Sequence, residues 1–299
     1  MCPRFDSGSR HWVAWVDFFG PPTFLFIHSP PRRHLPSPQD PAYNGLDVTR
    51  RPHLIFVQGP LMINPEGRHL MDTRAPDLKA EQQATLQRAR YPYTLPAQVF
   101  YYGMDLFAGK ATTLSKAKLL ETFAGVPYRA WELRHYVRMT RRYGDRELVR
   151  RSWDVITWAR EAQDNEIWHL FVIDEKMKED GEKNAWYLTA PIPALMMRVY
   201  WGLVQLMAWF NMDQAFLFNA QFEDHAEHNY AQLVEDHPEW DTQPVTSDLV
   251  GEYGEFTTWG DVFRRIALDE REHMNHSFGF AGQPEHIVDL AAEETTPQD

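Results

Sequence analysis

From residue 77 onward, apolar residues recur every three to four positions along most of this chain, which is the spacing of amphipathic helices. A loop is expected over residues 241–253, where this spacing is lost. The pattern predicts helices over residues 80–90, 93–108, 114–143, 146–178, 192–218 and 257–278, and a further helix that follows residue 218 and ends near residue 235. The chain is therefore predicted to be all-α.

The first part of the chain lacks this period. Ten of the 21 prolines fall at or before Pro60, and proline is poorly tolerated inside helices and sheets. We therefore expect an irregular or disordered N-terminal extension, a helical domain and a disordered acidic tail. Their predicted bounds are residues 1–75, 76–290 and 291–299.

Two of the predicted helices are more apolar than a protein core requires. Aromatic residues make up 14% of the chain, and residues 93–108 and 194–212 are rich in aromatic residues and methionine. The second stretch is about long enough to span a bilayer, but Arg198 and Gln205 interrupt it. A helix lying in the membrane interface fits this pattern better than a spanning one. A buried core helix is the alternative.

Net charge and cysteine content limit the partners and the metal sites that the chain can have. The net charge of −12 argues against a nucleic-acid partner. Cys2 is the only cysteine, which excludes disulfides within the chain, zinc fingers and cysteine-ligated iron–sulfur clusters. The candidate chemistry lies in carboxylates and imidazoles instead.

Two Glu-x-x-His strings, and two glutamates on other predicted helices, supply the strongest chemical signal. In each string the carboxylate and the imidazole lie three residues apart, so both leave the same face of a helix. Four helices that direct Glu, Glu-x-x-His, Glu and Glu-x-x-His inward form the ligand set of a ferritin-like di-iron bundle. Four negative charges and two imidazoles suit two iron ions. The six candidate ligands are Glu121, Glu166, His169, Glu223, Glu270 and His273.

One Glu-x-x-His string alone is a weak signal, because the chain has four of them and a salt-bridged helix face is the ordinary explanation for one. Glu66 and His69 fall in a predicted loop. Glu132 and His135 lie eleven residues beyond Glu121, or about 16 Å along the helix, which is too far to share a metal pair with it. The six-residue set is stronger, because its helices are otherwise largely apolar and a buried unpaired carboxylate is unfavourable.

The segments around these six residues resemble a known family. Residues 119–127, 165–170, 222–230 and 269–273 resemble, in this order, the four metal-binding motifs of the alternative oxidases. The third motif and the stretch after His169 are at least as similar to the plastid terminal oxidases. The resemblance covers residues 95–280. It implies a four-helix di-iron bundle with additional amphipathic helices that associate with a membrane.

The activity that this resemblance implies is that of a membrane-associated quinol:oxygen oxidoreductase. Such enzymes oxidise two quinols, reduce O₂ to two waters and pump no protons. The six residues would hold two iron ions, Tyr230 would be the redox-active tyrosine, and Asn165 and Asp269 would orient the ligands. The implied quinol pocket contains Lys116, Leu120, Ala226 and Asn229. The implied partners are quinol, O₂, membrane lipid and a second copy of the chain.

The sequence also departs from the family pattern. The family has arginine where this chain has Lys116, which keeps the charge but loses the planar guanidinium. The step of 45 residues from Glu121 to Glu166 is longer than in the family, which implies an insertion near residues 141–150. After His273, the spacing to the next histidine is shorter than the spacing to a later histidine in the family, so His276 is assigned no role. The cysteines that regulate some plant members are absent.

Two other functions stay open at this point. The same centre is compatible with a di-iron hydroxylase that acts on a quinone or a lipid. A third hypothesis is a non-catalytic, ferritin-like iron-binding protein, although the Trp- and Met-rich residues 192–218 argue against it. The expected location is monotopic, on the cytoplasmic membrane of a prokaryote or on a mitochondrial inner or plastid membrane. The sequence does not identify the quinol.

Overall fold

The structure is a computed structural model that describes residues 62–63, 69–70 and 76–291. Within these residues it consists of α-helices, short 3-10 helices and one antiparallel pair of two-residue strands. The all-α prediction is confirmed for residues 76–291. The remainder of the predicted N-terminal extension, and residues 292–299 of the predicted tail, lie outside the described residues.

The strand pair, β1 (Met62–Ile63) and β2 (His69–Leu70), was not expected in the N-terminal extension. Eight α-helices follow in the described residues: α1 (Leu78–Gln87), α2 (Leu95–Ala108), α3 (Leu114–Arg141), α4 (Arg146–Glu179), α5 (Ile192–Phe210), α6 (Met212–Asp236), α7 (Asp248–Tyr253) and α8 (Trp259–Phe280). The 3-10 helices are Trp186–Leu188, Pro238–Asp241 and Pro284–His286.

Side-chain caps determine where the long helices begin. Thr113 before α3, Asp145 before α4 and Thr258 before α8 each accept a hydrogen bond from the backbone N–H three residues later. Such a cap satisfies a backbone donor that has no partner inside the helix. The predicted starts of α3 and α4 agree with the structure.

Two predicted boundaries were wrong. Residues 192–218 are not one helix, because Asn211 has an extended backbone (φ −151°) and its side chain caps α6. The apolar pattern continues across this break and so hides it. The predicted loop over residues 241–253 contains α7, and Ser247 at its start donates a hydrogen bond of 2.9 Å to Glu175 of α4. A contact with a distant element therefore supports a helix too short to show a sequence period.

The α3–α4 hairpin extends far beyond the predicted ligands. Its connection contains only residues 142–145, and α3 continues through Pro127 without a break. Glu121 lies twenty residues before the end of α3, and Glu166 lies twenty residues after the start of α4. Both are therefore about 30 Å from the connection. The extra length expected near residues 141–150 is helix and not an inserted loop.

The other long helices pack on this hairpin. α6 and α8 form a second antiparallel pair, and side chains of the two pairs meet in the core. α1 lies against α6 and α8, α5 packs along α3, and α2 contacts α6. Large side chains such as Trp131, Tyr128 and Phe263 are fully buried between these elements. The inward faces of α3, α4, α6 and α8 therefore enclose one buried interior.

Within the part of the chain that the structure describes, no helix has the combination of length and hydrophobicity needed to cross a bilayer.

α2 and α5 are neighbours that share an exposed apolar face, since the rings of Phe100 and Tyr200 lie 5.6 Å apart. Exposed apolar surface of this extent is uncommon on a protein without a partner for it. The exposed large side chains of this apolar face are Leu95, Val99, Tyr102 and Leu106 on α2, and Leu195, Val199, Trp201, Leu203, Leu206, Trp209 and Phe210 on α5.

Candidate metal centre

All six predicted ligands are buried in the interior between the two helix pairs. They form two groups that can hold a metal ion, and the ligand atoms of each group lie within 4.8 Å of one another. Glu166 and Glu270 belong to both groups, as expected of carboxylates that bridge two metal ions. The first group also contains Glu121 and His169, and the second also contains Glu223 and His273.

The two shared carboxylates face both histidines. His169 Nδ1 lies 3.4 Å from Glu166 Oε2 and 3.1 Å from Glu270 Oε1. His273 Nδ1 lies 2.9 Å from Glu166 Oε1 and 3.4 Å from Glu270 Oε2. Each shared carboxylate therefore presents one oxygen to each group. This is the orientation needed to bridge two cations.

Eight buried polar atoms of the centre have no hydrogen-bond partner. Buried polar groups are nearly always hydrogen-bonded, and an unpaired buried carboxylate is strongly unfavourable. Two metal ions would satisfy all eight atoms together, so the residues fit such a pair. The atoms are both carboxylate oxygens of Glu166 and Glu270, Oε2 of Glu121 and Glu223, and Nδ1 of His169 and His273.

Burial and mutual repulsion set the protonation of the metal-free carboxylates. Burial raises the pKa of Glu121 and of Glu223, and the negative charges of Glu166 and Glu270 raise both further. Burial acts in the same direction on Glu166, but His273 and His169 together outweigh it and hold the pKa of Glu166 below its usual range. Carboxylates bind metals in the ionised form, so binding of a cation would release the protons held by Glu121 and Glu223.

Asp269 organises the polar contacts behind His169. Its Oδ2 lies 3.2 Å from His169 Nε2 and accepts hydrogen bonds from Tyr253 (2.5 Å) and Asn165 (3.2 Å), while Oδ1 accepts one from Arg265 Nε (2.7 Å). Burial raises the pKa of Asp269, but Arg265 and His169 together outweigh it and hold that pKa below its usual range. An ionised Asp269 accepts the Nε2–H of His169, which leaves Nδ1 available for a metal. The structure thus brings Asn165 and Asp269 to the centre.

Two tyrosines donate hydrogen bonds to ligand carboxylates. Tyr230 donates to Glu121 Oε1. Tyr128 donates to Glu223 Oε1 (2.7 Å), which also accepts from Asn219 Nδ2 (2.9 Å). Burial raises the pKa of both tyrosines, so they stay protonated and act as donors. Each bond occupies one carboxylate oxygen and leaves the other without a partner.

Four polar contacts of the centre were missed from the sequence. Asn219 precedes Glu223 by four residues, and Arg265 precedes Asp269 by four, so helical spacing carried a signal for these two. Tyr128 reaches the centre from another helix and Tyr253 from the end of α7, and no spacing within one element predicts such contacts. The missed residues are Tyr128, Asn219, Tyr253 and Arg265.

The Glu132 and His135 string, which lies in the described part of the chain, is not part of either ligand group. Glu132 forms an ion pair of 2.8 Å with Arg160 of α4. His135 is buried, and its Nδ1 lies 3.4 Å from Ser152 Oγ. Glu66 lies outside the described residues. The sequence prediction that the Glu132 string is structural therefore agrees with its contacts.

The four residues predicted to form the quinol pocket lie in the wall of one cavity between α3 and α6. The cavity volume is about 10 Å³, which is enough for about one water molecule. Lys116 Nζ donates to Asp105 of α2 (2.7 Å) and to the Gly109 carbonyl (2.8 Å), so the end of α2 borders this region. A ring-sized ligand would require side chains to move. The lining includes Lys116, Leu120, Ala226 and Asn229 together with Glu121, Phe222 and Tyr230.

No protein-family model, curated protein or solved structure matches this chain. The arrangement itself consists of buried carboxylate and imidazole groups that can hold metal ions. Four carboxylates and two neutral imidazoles carry a total charge that balances two divalent cations. Oxygen and imidazole donors of this kind are compatible with several first-row metals.

Proposed function

We propose that this chain is a membrane-associated quinol:oxygen oxidoreductase with a di-iron centre in a ferritin-like four-helix bundle. The observation that carries the proposal is the pair of buried ligand groups that share Glu166 and Glu270. The sequence motifs around these ligands, which resemble those of the alternative and plastid terminal oxidases, support the choice of iron and of O₂ as the oxidant. The overall reaction converts two quinols and one O₂ into two quinones and two waters.

The ligand set supports iron in both charge and donor type. Carboxylates and imidazoles suit iron in oxygen chemistry, and the total charge of −4 offsets two ferrous ions. A bound pair of iron ions would supply an O₂-binding site and a path for electrons. The chain's own contribution is to keep this site buried, to orient His169 through Asp269, and to hold Glu121 and Glu223 through hydrogen bonds from tyrosines.

The cavity beside Glu121 supports a quinol route to the centre. Its lining includes Glu121 and Tyr230 as well as Lys116 and Asn229. A quinol hydroxyl in an enlarged form of this cavity could hydrogen-bond to the Lys116 ammonium or the Asn229 amide. Tyr230 would then lie beside both the quinol and the ligand Glu121, because it lines the cavity and donates to that carboxylate.

The apolar face of α2 and α5 supports delivery of quinol from a membrane. Quinols are hydrophobic and dissolve in the bilayer, and an apolar face that lies in the membrane interface would give the enzyme access to them. Phe100 of α2 contacts Phe222, a residue of the cavity wall, with ring centroids 5.6 Å apart. α2 therefore lies both on the apolar face and beside the cavity.

Quinol-dependent O₂ consumption tests the proposal. Membranes and purified protein loaded with iron should consume one O₂ for every two quinols, with ubiquinol, plastoquinol and menaquinol analogues tested in turn. Glu270→Gln should abolish both iron binding and O₂ consumption. Glu132→Gln makes the same chemical change in a Glu-x-x-His string outside the centre, and should retain both. Iron-loaded protein that consumes no O₂ with any quinol would overturn the proposal.

Labelled O₂ separates the oxidase from the hydroxylase alternative. In an oxidase all the label leaves as water. Label in the quinone or in a lipid would assign a hydroxylase at the same centre. Iron uptake and oxidation with no dependence on quinol would instead indicate an iron-binding protein.

The role of Tyr230 has a matched control in Tyr128, because both donate to a ligand carboxylate but only Tyr230 lines the cavity. Tyr230→Phe should keep its iron and lose turnover by roughly a hundredfold or more, the scale expected for a positioned proton donor. Tyr128→Phe should lose much less. Full turnover by Tyr230→Phe would refute a role for this hydroxyl.

A further inference from the structure

The end of the α3–α4 hairpin projects beyond the α6–α8 pair. Phe216 near the start of α6 and Phe280 at the end of α8 contact each other, and both contact Trp158 of α4. α4 begins twelve residues before Trp158, so about 18 Å of this helix lies beyond the contact. We call residues 129–151 the hairpin tip.

The hairpin tip carries positive charge in an otherwise acidic chain. It contains eight arginines against three acidic residues, a net charge of +5, so the remainder of the chain carries −17. Seven of these arginines are exposed, and Arg134 is half-buried. A separation of charge of this size orients a protein in the field of a charged surface.

Five of the eight arginines in the hairpin tip have no acidic partner among the described residues, and one of them, Arg134, lies against the Trp209 ring. Arg142 and Arg150 form exposed ion pairs of 3.2 Å with neighbours on the hairpin, and such pairs contribute little to stability. The four exposed arginines without an ion pair in the described part of the chain are Arg138, Arg141, Arg146 and Arg151. Their charges are available to an external anion.

Aromatic side chains accompany these charges. Tyr136 and Tyr143 of the hairpin tip, and Trp153 two residues beyond it, are all more than half exposed. Tyrosine and tryptophan are enriched where proteins meet the membrane–water interface, because their rings are apolar at one end and polar at the other. Exposed arginine together with these aromatic residues fits an interfacial environment.

The hairpin tip is continuous with the apolar face. α5 runs alongside α3 in the same direction, since Tyr200 contacts Phe123 (5.5 Å) and, further along both helices, the Arg134 guanidinium lies 4.6 Å from the centre of the Trp209 ring. The apolar face therefore ends where the hairpin tip begins. α2 and α5 together contain one acidic residue, Asp105, and it is paired with Lys116.

We propose that the hairpin tip binds the anionic headgroups of the phospholipid bilayer whose interface the apolar face enters. The inference rests on the proposed membrane contact of α2 and α5, and it requires neither the metal nor the quinol. Anionic headgroups match the charge of the tip, and acyl chains match the adjoining apolar face. The binding would orient the protein, because the rest of the chain is repelled by the same surface.

Vesicle flotation with the full chain tests this inference. The vesicles contain phosphatidylcholine alone or a mixture of phosphatidylcholine and phosphatidylglycerol. The variant with Arg138→Gln, Arg141→Gln, Arg146→Gln and Arg151→Gln removes the four unpaired charges at exposed positions. The control with Lys79→Gln, Lys110→Gln, Lys178→Gln and Lys183→Gln changes the net charge equally at exposed positions outside the hairpin tip.

The unchanged chain should bind the anionic vesicles more strongly than the neutral ones. The preference should shrink as salt rises from about 0.1 M to about 1 M, because the Debye length falls from about 10 Å to about 3 Å. Each arginine near an anionic surface strengthens binding by about fivefold. The four-arginine variant should therefore bind anionic vesicles at least roughly tenfold more weakly, with unchanged binding to neutral vesicles, and the lysine control should change much less.

Equal binding to both vesicle types by the unchanged chain would overturn the inference and leave the membrane contact of the apolar face intact. Undiminished anionic preference in the four-arginine variant, or a tip that binds nucleic acid and shows no vesicle preference, would also overturn it. These outcomes are separable from the proposed oxidase. A preference for anionic vesicles in protein that consumes no O₂ with any quinol would support the lipid site and refute the quinol oxidase. Quinol oxidation in detergent by protein without this preference would support the quinol oxidase and refute the lipid site.

Discussion

At the scale of single residues, the six ligands are not equivalent. Glu166 and Glu270 belong to both ligand groups, whereas Glu223 belongs to one. Replacing a shared carboxylate weakens both sites, and replacing Glu223 weakens only the site that contains His273. This difference follows from geometry alone and does not depend on which metal is bound.

We therefore expect Glu270→Gln to bind less than a tenth of the metal of the unchanged protein, and Glu223→Gln to retain roughly half, by elemental analysis after iron loading. Glutamine has the same shape, so lost metal is not lost packing. Equal metal losses in the two variants would contradict the assignment of a shared ligand.

His135 predicts a pH dependence away from the metal centre. Burial, followed by the positive charges of three nearby arginines, lowers the pKa of His135 to about 4. Above pH about 6.5 both the folded and the unfolded chain hold this histidine neutral. Between pH about 6.5 and 4 the unfolded chain binds a proton that the folded chain does not, so stability falls as the pH falls.

The loss should reach at most about 3 kcal/mol at pH 4, because the pKa differs by about 2.5 between the two states. Urea unfolding of metal-free protein at pH 7 and pH 4.5 measures it. His135→Gln should be less sensitive to acid than the unchanged chain, because glutamine takes up no proton. An identical pH dependence in both proteins would show that His135 is not buried as described.

Spacing within one helix predicted the pairs of ligands that share a helix, and the four-helix ligand pattern added Glu121 and Glu223. The Glu-x-x-His spacing placed Glu166 with His169 and Glu270 with His273 before any fold was known. Residue spacing does not predict contacts between elements, such as the hydrogen bond from Tyr128 to Glu223, because these contacts depend on how the helices pack. The pocket residues were found only through the resemblance, and no spacing in the chain indicates them.

At the scale of elements, ion pairs hold α1 against the outer side of the metal centre. Arg271 is buried and contacts Glu81 of α1 and Glu227 of α6, the latter at 2.9 Å from its Nε. Its Nη2 also donates to Thr85 of α1 (2.8 Å). Arg271 follows the ligand Glu270 directly, so this network joins α1 to the helix that carries a shared ligand.

Removing Arg271 should therefore destabilise the fold strongly. Arg271→Met leaves Glu81 as a buried carboxylate without a cation partner, and breaking a buried pair in this way typically costs about 3–5 kcal/mol. Urea unfolding of the metal-free protein gives the change in free energy. Adding Glu81→Gln to Arg271→Met should recover part of the loss, because it removes the unpaired charge. A loss below about 1 kcal/mol for Arg271→Met would show that the network does not hold α1.

Element boundaries were predictable where a cap or a break in period coincided with the end of a helix. Thr113 and Asp145 cap helices whose predicted and observed starts agree. The boundary at Asn211 was missed because apolar residues continue on both sides of it, and this uninterrupted pattern obscures the signal of the Asn211 cap. α7 was missed because six residues are too few to show a helical period and its support comes from Glu175 of α4.

At the scale of the whole molecule, the centre opposes folding unless metal is bound. Four carboxylates from four helices meet in one interior, and eight of the ligand atoms lack hydrogen-bond partners. In the metal-free state the raised pKa of Glu121 and of Glu223 limits the repulsion by keeping protons on both. Metal binding replaces those protons and links the two helix pairs through Glu166 and Glu270, so affinity for the metal adds directly to the stability of the bundle.

Removal of the metal should therefore lower the melting temperature. Free metal at a hundred times its dissociation constant adds about 2.7 kcal/mol per site, and each kcal/mol raises the melting temperature of a domain of this size by about 2–4 °C. Two sites should give a shift of at least about 10 °C between chelator-treated and ferrous-iron-loaded protein, measured anaerobically by circular dichroism. Glu270→Gln should show almost no shift, and Glu132→Gln should show the full one. Adding iron to metal-free protein in weak buffer at neutral pH should also release protons, because Glu121 and Glu223 must ionise to bind it. A melting temperature unaffected by iron, with no proton release, would mean that the six side chains form no metal site.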